Sequence, residues 1–356
     1  MQAYLDCRRN KRSSRSALAF ELNLERNLMQ LHTELKTGTY RPGTSICFVV
    51  THPKPREVWA ADFRDRIVHH FLYNHIGPRI ERSFIADSCA CIKGRGTLYA
   101  VQRLEAKVRS ITQNWQRPTH YLKCDLANFF VAIDKRVLQQ QLAARIEQPA
   151  WLALALLILM HDPRENYALH STPRLLNRVP QHKRLTAQPA HLGLPIGNLS
   201  SQFFANVYLD ALDQFVKHQL RCKHYVRYVD DFVLLHESPQ QLNAWHKQIE
   251  AFLADRLHAH LNPSKTIQQP VDRGIDFVGQ VIRPWHRTTR SRTVKHALRR
   301  IATVPAANLR ETANSYFGLL TQSTHSHTDR RKLAKAVMLR GKAVNAALTK
   351  TFKGAA

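Results

Sequence analysis

Apolar and polar residues follow two different periods along the chain. Helical spacing of apolar residues predicts helices over 16–36, 67–76, 98–111, 135–146, 149–161 and 203–220. Runs of β-branched and aromatic residues predict a strand over 120–126 and two strands within 224–236. Residues 40–58 are predicted to form loop and short strands, and the prolines within 162–192 predict an extended loop.

The segment 224–236 has the clearest strand pattern. Two runs of aromatic and β-branched residues flank the adjacent acids Asp230 and Asp231. This pattern predicts a β-hairpin that presents both acids at its turn. Acids at a turn are usually turn formers, so the pair alone does not indicate catalysis.

A second apolar run, over 120–126, also ends in an acid. Asp125 follows the run and precedes two phenylalanines. Acids at the ends of strands of one sheet could converge on divalent cations, which prefer hard oxygen ligands. Two such metals, about 4 Å apart, can activate a hydroxyl and stabilise the leaving oxygens of a phosphoryl displacement. We therefore predict a metal site of Asp125 with Asp230 or Asp231, with Mg²⁺ as the ion.

The chain is strongly basic. Its 53 lysines and arginines outweigh 26 acids, and the formal net charge is +27. Because 44% of the residues are hydrophobic, the chain can fill a core, and the charge does not indicate disorder. A length of 356 residues favours two or three structural units. A sustained positive field predicts a polyanionic partner, nucleic acid before membrane.

About half of this net charge lies in the last fifth of the chain. Residues 283–356 contain 16 lysines and arginines but only two acids, Glu311 and Asp329. The apolar spacing there predicts a small basic helical unit. A solvated helix face is the ordinary explanation of a single charge run, but the size of the asymmetry favours a nucleic-acid surface.

Cysteine usage and apolar runs predict a cytoplasmic protein without a membrane partner. The six cysteines are scattered, which does not favour a disulfide framework in so long a chain. The sequence contains no Cys-x-x-Cys pair that would indicate a zinc site. The basic N-terminus lacks the apolar core of a secretion signal. The longest apolar run, 151–160, is too short to cross a bilayer.

Short motifs accompany the two acidic segments in the order expected of one enzyme family. Tyr228-Val-Asp-Asp231 together with Asp125-Leu-Ala-Asn-Phe-Phe130 resembles the palm of a reverse transcriptase. Further blocks similar to that family, from the fingers to the primer-grip strand, are 53–68, 84–100, 193–202, 262–266 and 277–279. The resemblance covers about residues 40–285.

The resemblance implies an α+β fold of the right-hand polymerase type, with fingers, a palm containing an antiparallel sheet, and a helical thumb. It assigns 1–115 to an N-terminal helix and the fingers. It assigns 116–282 to the palm, with the loop insertion 162–192 packing on the fingers. The basic segment 283–356 would be the thumb, whose charge suits a duplex gripped through its phosphates.

The resemblance also implies roles for the acids. Asp125, Asp230 and Asp231 match the catalytic, metal-binding carboxylates, and Leu126 is added to the metal site. In this family the third carboxylate is often nearer to a supporting role than to a full ligand. The implied cofactor is a pair of Mg²⁺ ions, for which Mn²⁺ can substitute.

Other residues are implied to bind a deoxynucleoside triphosphate (dNTP). Phe130 matches the aromatic gate whose bulk excludes a ribose 2′-hydroxyl. The fingers residues Lys54, Arg56 and Arg66 match positions that face the triphosphate. Lys265, in the block after the hairpin, could donate a proton to pyrophosphate. For each fingers residue, a plain surface charge is an equally ordinary explanation, and for Lys265 a solvated lysine is the more ordinary one.

One block departs from the pattern of intron and retroviral enzymes. Those enzymes usually carry Gln-Gly followed by Ser-Pro, whereas this chain has Ile196-Gly-Asn followed by Ser-Gln202. This form is typical of reverse transcriptases from diversity-generating retroelements, and it adds Ile196 and Gln202 to the implied nucleotide-binding set. Ile196 stands where the family glutamine touches the incoming nucleotide. Loss of that amide implies looser checking of the new base pair and errors opposite template adenine.

The predicted function is therefore an RNA-directed DNA polymerase that copies a template RNA into mutagenised cDNA in a diversity-generating retroelement. The implied partners are the template RNA, the primer–cDNA duplex, dNTPs and a small basic helical accessory protein. A reverse transcriptase of another context, either phage-defence or free-standing and intron-like, stays open as an alternative. So does a catalytically inactive nucleic-acid-binding protein built on a polymerase scaffold.

Overall fold

The computed structural model of the chain describes residues 1–9, 14–52 and 54–352. The helices are α1 (Gln2–Arg8), α2 (Arg15–Glu21), α3 (Leu24–Thr37), α4 (Phe63–Glu81), α5 (Thr97–Ile111), α6 (Phe129–Ala132), α7 (Lys135–Ala143), α8 (Pro149–Met160), α9 (Pro173–Leu176), α10 (Leu199–Gln214), α11 (Pro239–Leu257), α12 (Ser291–Thr303), α13 (Leu309–Leu320) and α14 (His327–Met338). The strands are β1 (Ser45–Val50), β2 (Arg56–Ala60), β3 (His120–Asp125), β4 (Tyr167–Leu169), β5 (Tyr225–Tyr228), β6 (Asp231–His236), β7 (Ile267–Pro270), β8 (Ile275–Phe277), β9 (Gln280–Arg283) and β10 (His286–Thr289). Over these residues, the strands form one four-stranded sheet, β5-β6-β3-β7, and two three-stranded sheets, β2-β1-β4 and β10-β9-β8.

The chain divides into two compact units, each assembled from three separate segments. Unit 1 comprises Met1–Ile92, Asp125–Arg221 and Lys247–Ser264. Unit 2 comprises Lys93–Cys124, Cys222–His246 and Lys265–Ala356. Among the described residues, no helix is long and apolar enough to span a membrane.

Helix α4 lies at the core of unit 1. Its first residue, Phe63, is fully buried and contacts Tyr4 of α1 and Phe20 of α2 edge to face, with ring centroids 6.3 and 5.6 Å apart. The single helix predicted over 16–36 is wrong, because α2 ends at Glu21 and α3 begins at Leu24. The apolar spacing continues through the break, so the sequence pattern does not reveal it.

The small sheet of unit 1 joins distant parts of the sequence. Strand β2 pairs antiparallel with β1, and β4 pairs parallel with the other edge of β1. Strand β4 comes from 162–192, which was predicted as an extended loop and is otherwise mostly irregular. Buried Glu57 of β2 accepts hydrogen bonds from the Leu185 amide at 2.6 Å and the Thr186 hydroxyl at 3.2 Å, which ties this loop to the sheet.

The four-stranded sheet contains both predicted acidic segments, and its residues lie in unit 2 except Asp125, the last residue of β3, which belongs to unit 1. Strands β5 and β6 pair antiparallel, as do β3 and β7. The apolar side chains of the hairpin, among them Val226, Phe232 and Leu234, are fully buried, and α5 packs against both of its strands. These packed strands hold the hairpin turn in one position.

The C-terminal part of unit 2 contains three helices, α12 to α14. They enclose a separate apolar core that includes Ile301, Phe317 and Leu333. Arginines such as Arg292 and Arg299 lie on the exposed face of α12. The helical prediction for 283–356 is confirmed for these three helices, which follow β10.

Candidate active site

The β5–β6 hairpin has a two-residue turn made of Val229 and Asp230. Tyr228 pairs with Asp231 across the hairpin, so Asp230 lies in the turn and Asp231 begins β6. Val229 has φ +56°. A β-branched residue in this region of backbone space is strained, at a cost of about 1–3 kcal/mol. The predicted hairpin is confirmed, and its turn has an unfavourable backbone conformation directly before the acids.

A buried arginine forms a hydrogen bond to this turn. Arg227 is only 1% exposed, and its guanidinium donates a hydrogen bond to the Val229 carbonyl at 3.0 Å. The bond fixes the carbonyl of the strained residue and hence the direction of the chain into Asp230. A lysine at this position would lack the rigid planar donor group that reaches a carbonyl in this way.

Two side-chain contacts within unit 2 give the direction of β3 beside β6. Lys123 Nζ lies 3.2 Å from Asp231 Oδ2 at the start of β6, while the ring of His120 lies 3.2 Å from the Glu237 carbonyl after its end. The two strands therefore run antiparallel, and Lys123 neutralises part of the Asp231 charge. Lys123 also donates to the Asp276 carbonyl at 2.7 Å, so its amine is held in place.

Asp125 is the last residue of β3 and belongs to unit 1. It is 9% exposed, and its carbonyl accepts a hydrogen bond from the Asn262 amide at 2.7 Å. The next residue, Leu126, is buried and forms a β-bridge with Leu261. Asn262, the first residue of the 262–266 block, is therefore hydrogen-bonded to the last residue of β3. Over the described part of the chain, no group of three or more His, Cys, Asp or Glu side chains is arranged to hold a metal ion.

The predicted gate residue and the 193–202 block meet in unit 1. Phe130 lies in the short helix α6, half-buried, with its ring edge to face against Phe129 at 5.3 Å. Its carbonyl accepts a hydrogen bond from the Leu194 amide at 2.7 Å. The backbone thus joins Phe130 to the segment that leads into Ile196, while Gln202 lies exposed on α10.

Ile196 and its two following residues pair with the end of β2. The Trp59 amide donates to the Ile196 carbonyl at 2.7 Å, and the Ala61 amide donates to Asn198 Oδ1 at 3.0 Å. Gly197 lies between them with φ +129°. We call residues 59–61 together with 196–198 the β2 seat.

The predicted basic residues lie in different environments. Lys54 and Arg56 are exposed at the β1–β2 connection. Arg66 is half-buried on α4, and its Nε donates to the Ala61 carbonyl at 2.7 Å, beside the β2 seat. Lys265 is exposed in unit 2, in the 3₁₀ turn Pro263–Lys265. Among these four residues, the described contacts bring Arg66 next to the seat.

A buried polar cluster behind the β2 seat was not found by sequence reasoning. Asp65 accepts hydrogen bonds from the Tyr40 hydroxyl and the Gly43 amide, both at 2.8 Å. Burial raises the pKa of Asp65 and lowers the pKa of His69 to about 3. The His69 ring lies 3.4 Å from the Ser200 hydroxyl, in the first turn of α10. Asp65, His69 and Ser200 stand at ordinary helical positions and Tyr40 and Gly43 in a connecting segment, so no sequence signal marks the cluster.

An antiparallel sheet packed against a helix, with a double-aspartate hairpin in its plane, is the arrangement of a polymerase palm. Residues 53–282 match the family model described as reverse transcriptase (RNA-dependent DNA polymerase). Since the match spans more than half of the chain, the chain belongs to the reverse transcriptase family. No curated protein matched the sequence.

A solved structure of telomerase resembles the chain in fold. Telomerase from Candida albicans, in complex with a TWJ fragment of telomeric RNA, matches with a TM-score of 0.50 and 13% identity over 84% of this chain and 54% of that chain. Apo telomerase from Candida tropicalis, truncated from its C-terminal domain, matches with a TM-score of 0.47 and 10% identity over 72% of this chain and 58% of that one. This chain thus spans somewhat more than half the length of either structure. The predicted α+β polymerase fold is confirmed.

Proposed function

We propose that the chain is an RNA-directed DNA polymerase that adds deoxynucleotides to a primer paired with an RNA template. The observation that carries the proposal is the family match over residues 53–282. This range includes β3 and the Asp230–Asp231 hairpin, which are neighbours in one sheet. The basic exposed face of α12 supports a nucleic-acid partner, because phosphates are bound through lysines and arginines without reading sequence.

Asp125, Asp230 and Asp231 are the proposed catalytic carboxylates, with Leu126 beside them. Their oxygens are the hard donors that Mg²⁺ and Mn²⁺ prefer, so the donor chemistry fits a divalent cation. Asp231 is proposed as a supporting group, as the family resemblance implies, and its Oδ2 lies 3.2 Å from Lys123 Nζ. Two cations held there would activate the primer 3′-hydroxyl and neutralise the leaving pyrophosphate.

The residues of this chain would bind and orient the dNTP. Phe130 would exclude a 2′-hydroxyl, and its backbone bond to Leu194 supports a common position with Ile196. Arg66 would bind the triphosphate through its remaining guanidinium nitrogens, because its Nε is committed to a backbone carbonyl. Lys54, Arg56 and Gln202 are exposed candidates for the same ligand, and Lys265 is the candidate proton donor to pyrophosphate.

Primer extension with a homopolymer RNA template tests the proposal. The parent chain should incorporate labelled dNTP with Mg²⁺ or Mn²⁺, and Asp230→Asn should lose the activity by about 10³-fold or more, since several kcal/mol of transition-state stabilisation depend on the carboxylate. Asp255→Asn is the matched control, because Asp255 is an exposed acid on α11. Unchanged incorporation by Asp230→Asn would show that the hairpin acids are not catalytic.

We further propose that the chain acts in a diversity-generating retroelement and is error-prone at template adenines. The support is the Ile196-Gly-Asn and Ser-Gln202 block. Ile196→Gln restores the amide found in other family members and should lower misincorporation opposite adenine. A near-identical repeat pair that differs mainly at adenines, beside a small basic reading frame in the neighbouring DNA, would establish the subtype. Absence of such repeats would favour a reverse transcriptase of another context.

A further inference from the structure

We propose that Asn198 is a positioning residue that fixes Ile196 relative to Arg66, and so sets how tightly the chain binds and checks an incoming dNTP. The inference rests on the proposed function, in which Ile196 and Arg66 contact the nucleotide. It assigns to Asn198 a role that the sequence block alone does not give, because the role depends on a contact with a residue far away in sequence.

The side chain of Asn198 is diverted from the role that its position normally gives it. Asn198 is the residue directly before α10, where an asparagine usually accepts a hydrogen bond from an amide in the first turn of its own helix. Here the side chain makes no such bond. Its oxygen instead accepts from the Ala61 amide at 3.0 Å, and the residue is 6% exposed. The Asn198 side chain therefore forms a buried tertiary contact instead of capping α10.

This contact belongs to a short ladder. The Trp59 amide donates to the Ile196 carbonyl at 2.7 Å, so positions 59 and 61 bind positions 196 and 198 in the same direction. Gly197 allows the two segments to approach. A Cβ atom there would lie 2.8 Å from the Trp59 carbonyl oxygen, and the φ of +129° disfavours any other residue. Ile196 is therefore fixed by the bond to its own carbonyl and by the bond to Asn198 two residues further on.

Ala61 connects this ladder to Arg66. Its amide binds Asn198, and its carbonyl accepts the Arg66 Nε hydrogen bond at 2.7 Å. Ala61 is itself buried, so removal of the Asn198 oxygen would leave its N–H group unsatisfied, which is costly. The backbone would relax at the point that joins Ile196 to Arg66. Both proposed nucleotide contacts would then lose their fixed separation.

Steady-state incorporation of a single dNTP on an RNA template tests this role. Asn198→Ala should raise the KM for dNTP by about tenfold, the effect of one unsatisfied buried donor, with a smaller change in kcat. The ratio of incorrect to correct incorporation should change as well. Asn198→Asp keeps an acceptor oxygen in place and should recover most of the loss. The increase in melting temperature caused by added dNTP should follow the same order without any turnover.

Asn206→Ala is the matched control. Asn206 lies on the same helix, is 3% exposed, and donates to the Ala90 carbonyl at 2.8 Å. Its loss should lower the melting temperature while leaving the KM for dNTP within about twofold, as expected of a contact away from the reacting groups. If Asn198→Ala is too unstable to assay, Asn198→Ser gives the same comparison with a smaller cavity.

The inference is overturned if Asn198→Ala and Asn206→Ala raise the KM equally, or if Asn198→Asp recovers nothing. A parent chain that incorporates no dNTP would instead contradict the proposed function. The two failures are therefore distinct.

Discussion

The β5–β6 hairpin of unit 2 and the β2 seat of unit 1 hold proposed active-site residues in opposite ways. The hairpin is local: residues three to nine positions apart pair with each other, and Arg227 donates a hydrogen bond to the carbonyl of Val229, two positions on. The seat is non-local: Asn198 binds an amide 137 positions away. The proposed active-site residues of the hairpin can be recognised from the types of the residues around them. Those of the β2 seat are positioned by contacts that no short sequence motif encodes.

The largest effect is expected from removal of a proposed catalytic carboxylate. Asp125→Asn should reduce primer extension by about 10³-fold or more, because it removes a proposed metal ligand while conserving side-chain volume. The melting temperature should stay close to that of the parent. Substantial remaining activity with a normal fold would remove Asp125 from the catalytic set.

The next effect is expected in the β2 seat. Gly197→Ala should lower the free energy of unfolding by about 3 kcal/mol, since it adds both backbone strain and a Cβ atom 2.8 Å from the Trp59 carbonyl oxygen. Gly38→Ala is the control: its φ is +72°, but no atom lies within 4 Å of the added Cβ, so about 1 kcal/mol is expected. Equal losses in urea denaturation would show that the seat has room to relax.

A pH-dependent effect is expected behind the seat. Burial holds the pKa of His69 at about 3, against 6.5 for an exposed imidazole. Between these values the unfolded chain binds a proton that the folded chain does not, so stability falls as the pH decreases below about 6.5. The loss attributable to His69 should reach about 2 kcal/mol at pH 5.

His69→Gln provides the measurement for this effect. The difference in unfolding free energy between pH 7.5 and pH 5 should be smaller in His69→Gln than in the parent. The comparison of slopes is needed because Asp65, whose pKa is raised by burial, titrates in the opposite sense nearby. Identical slopes for the two proteins would mean that His69 is accessible to protons in the folded chain.

The smallest effect is expected at the hairpin turn. Val229→Asn should raise the free energy of unfolding by about 1 kcal/mol, because asparagine tolerates positive φ better than a β-branched residue does. Val226→Asn, in the buried strand β5, should instead destabilise the chain. If both substitutions destabilise equally, the turn is not strained in solution.

Residue patterns predicted the hairpin, whose contacts are local in sequence. They did not predict the contacts between segments that are far apart in sequence. The hairpin, β3 and the acids at their ends follow from β-branched and aromatic runs interrupted by polar residues. Strand β4 was not predicted, since three residues become a strand only by pairing with β1, more than a hundred positions earlier. The break between α2 and α3 was missed because the apolar spacing continues across it.

The candidate site shows the same division. Asp125, Asp230 and Phe130 could be selected by residue type, order and family resemblance. The partners that orient the site, such as Lys123 beside Asp231 and Ala61 beside Asn198, could not, because they depend on which elements pack together. Arg227 was also missed, since an arginine in a strand gives no signal of being fully buried.

The central claim is that acids from β3 and from the β5–β6 hairpin form one catalytic metal site. Mn²⁺ binding followed by electron paramagnetic resonance, in the parent, in Asp125→Asn, in Asp230→Asn and in the double variant, tests it most directly. We predict that either single substitution weakens Mn²⁺ binding strongly and that the double variant is little worse than each single one, as for residues that act as a unit. Mn²⁺ affinity equal to that of the parent in both single variants would contradict the claim.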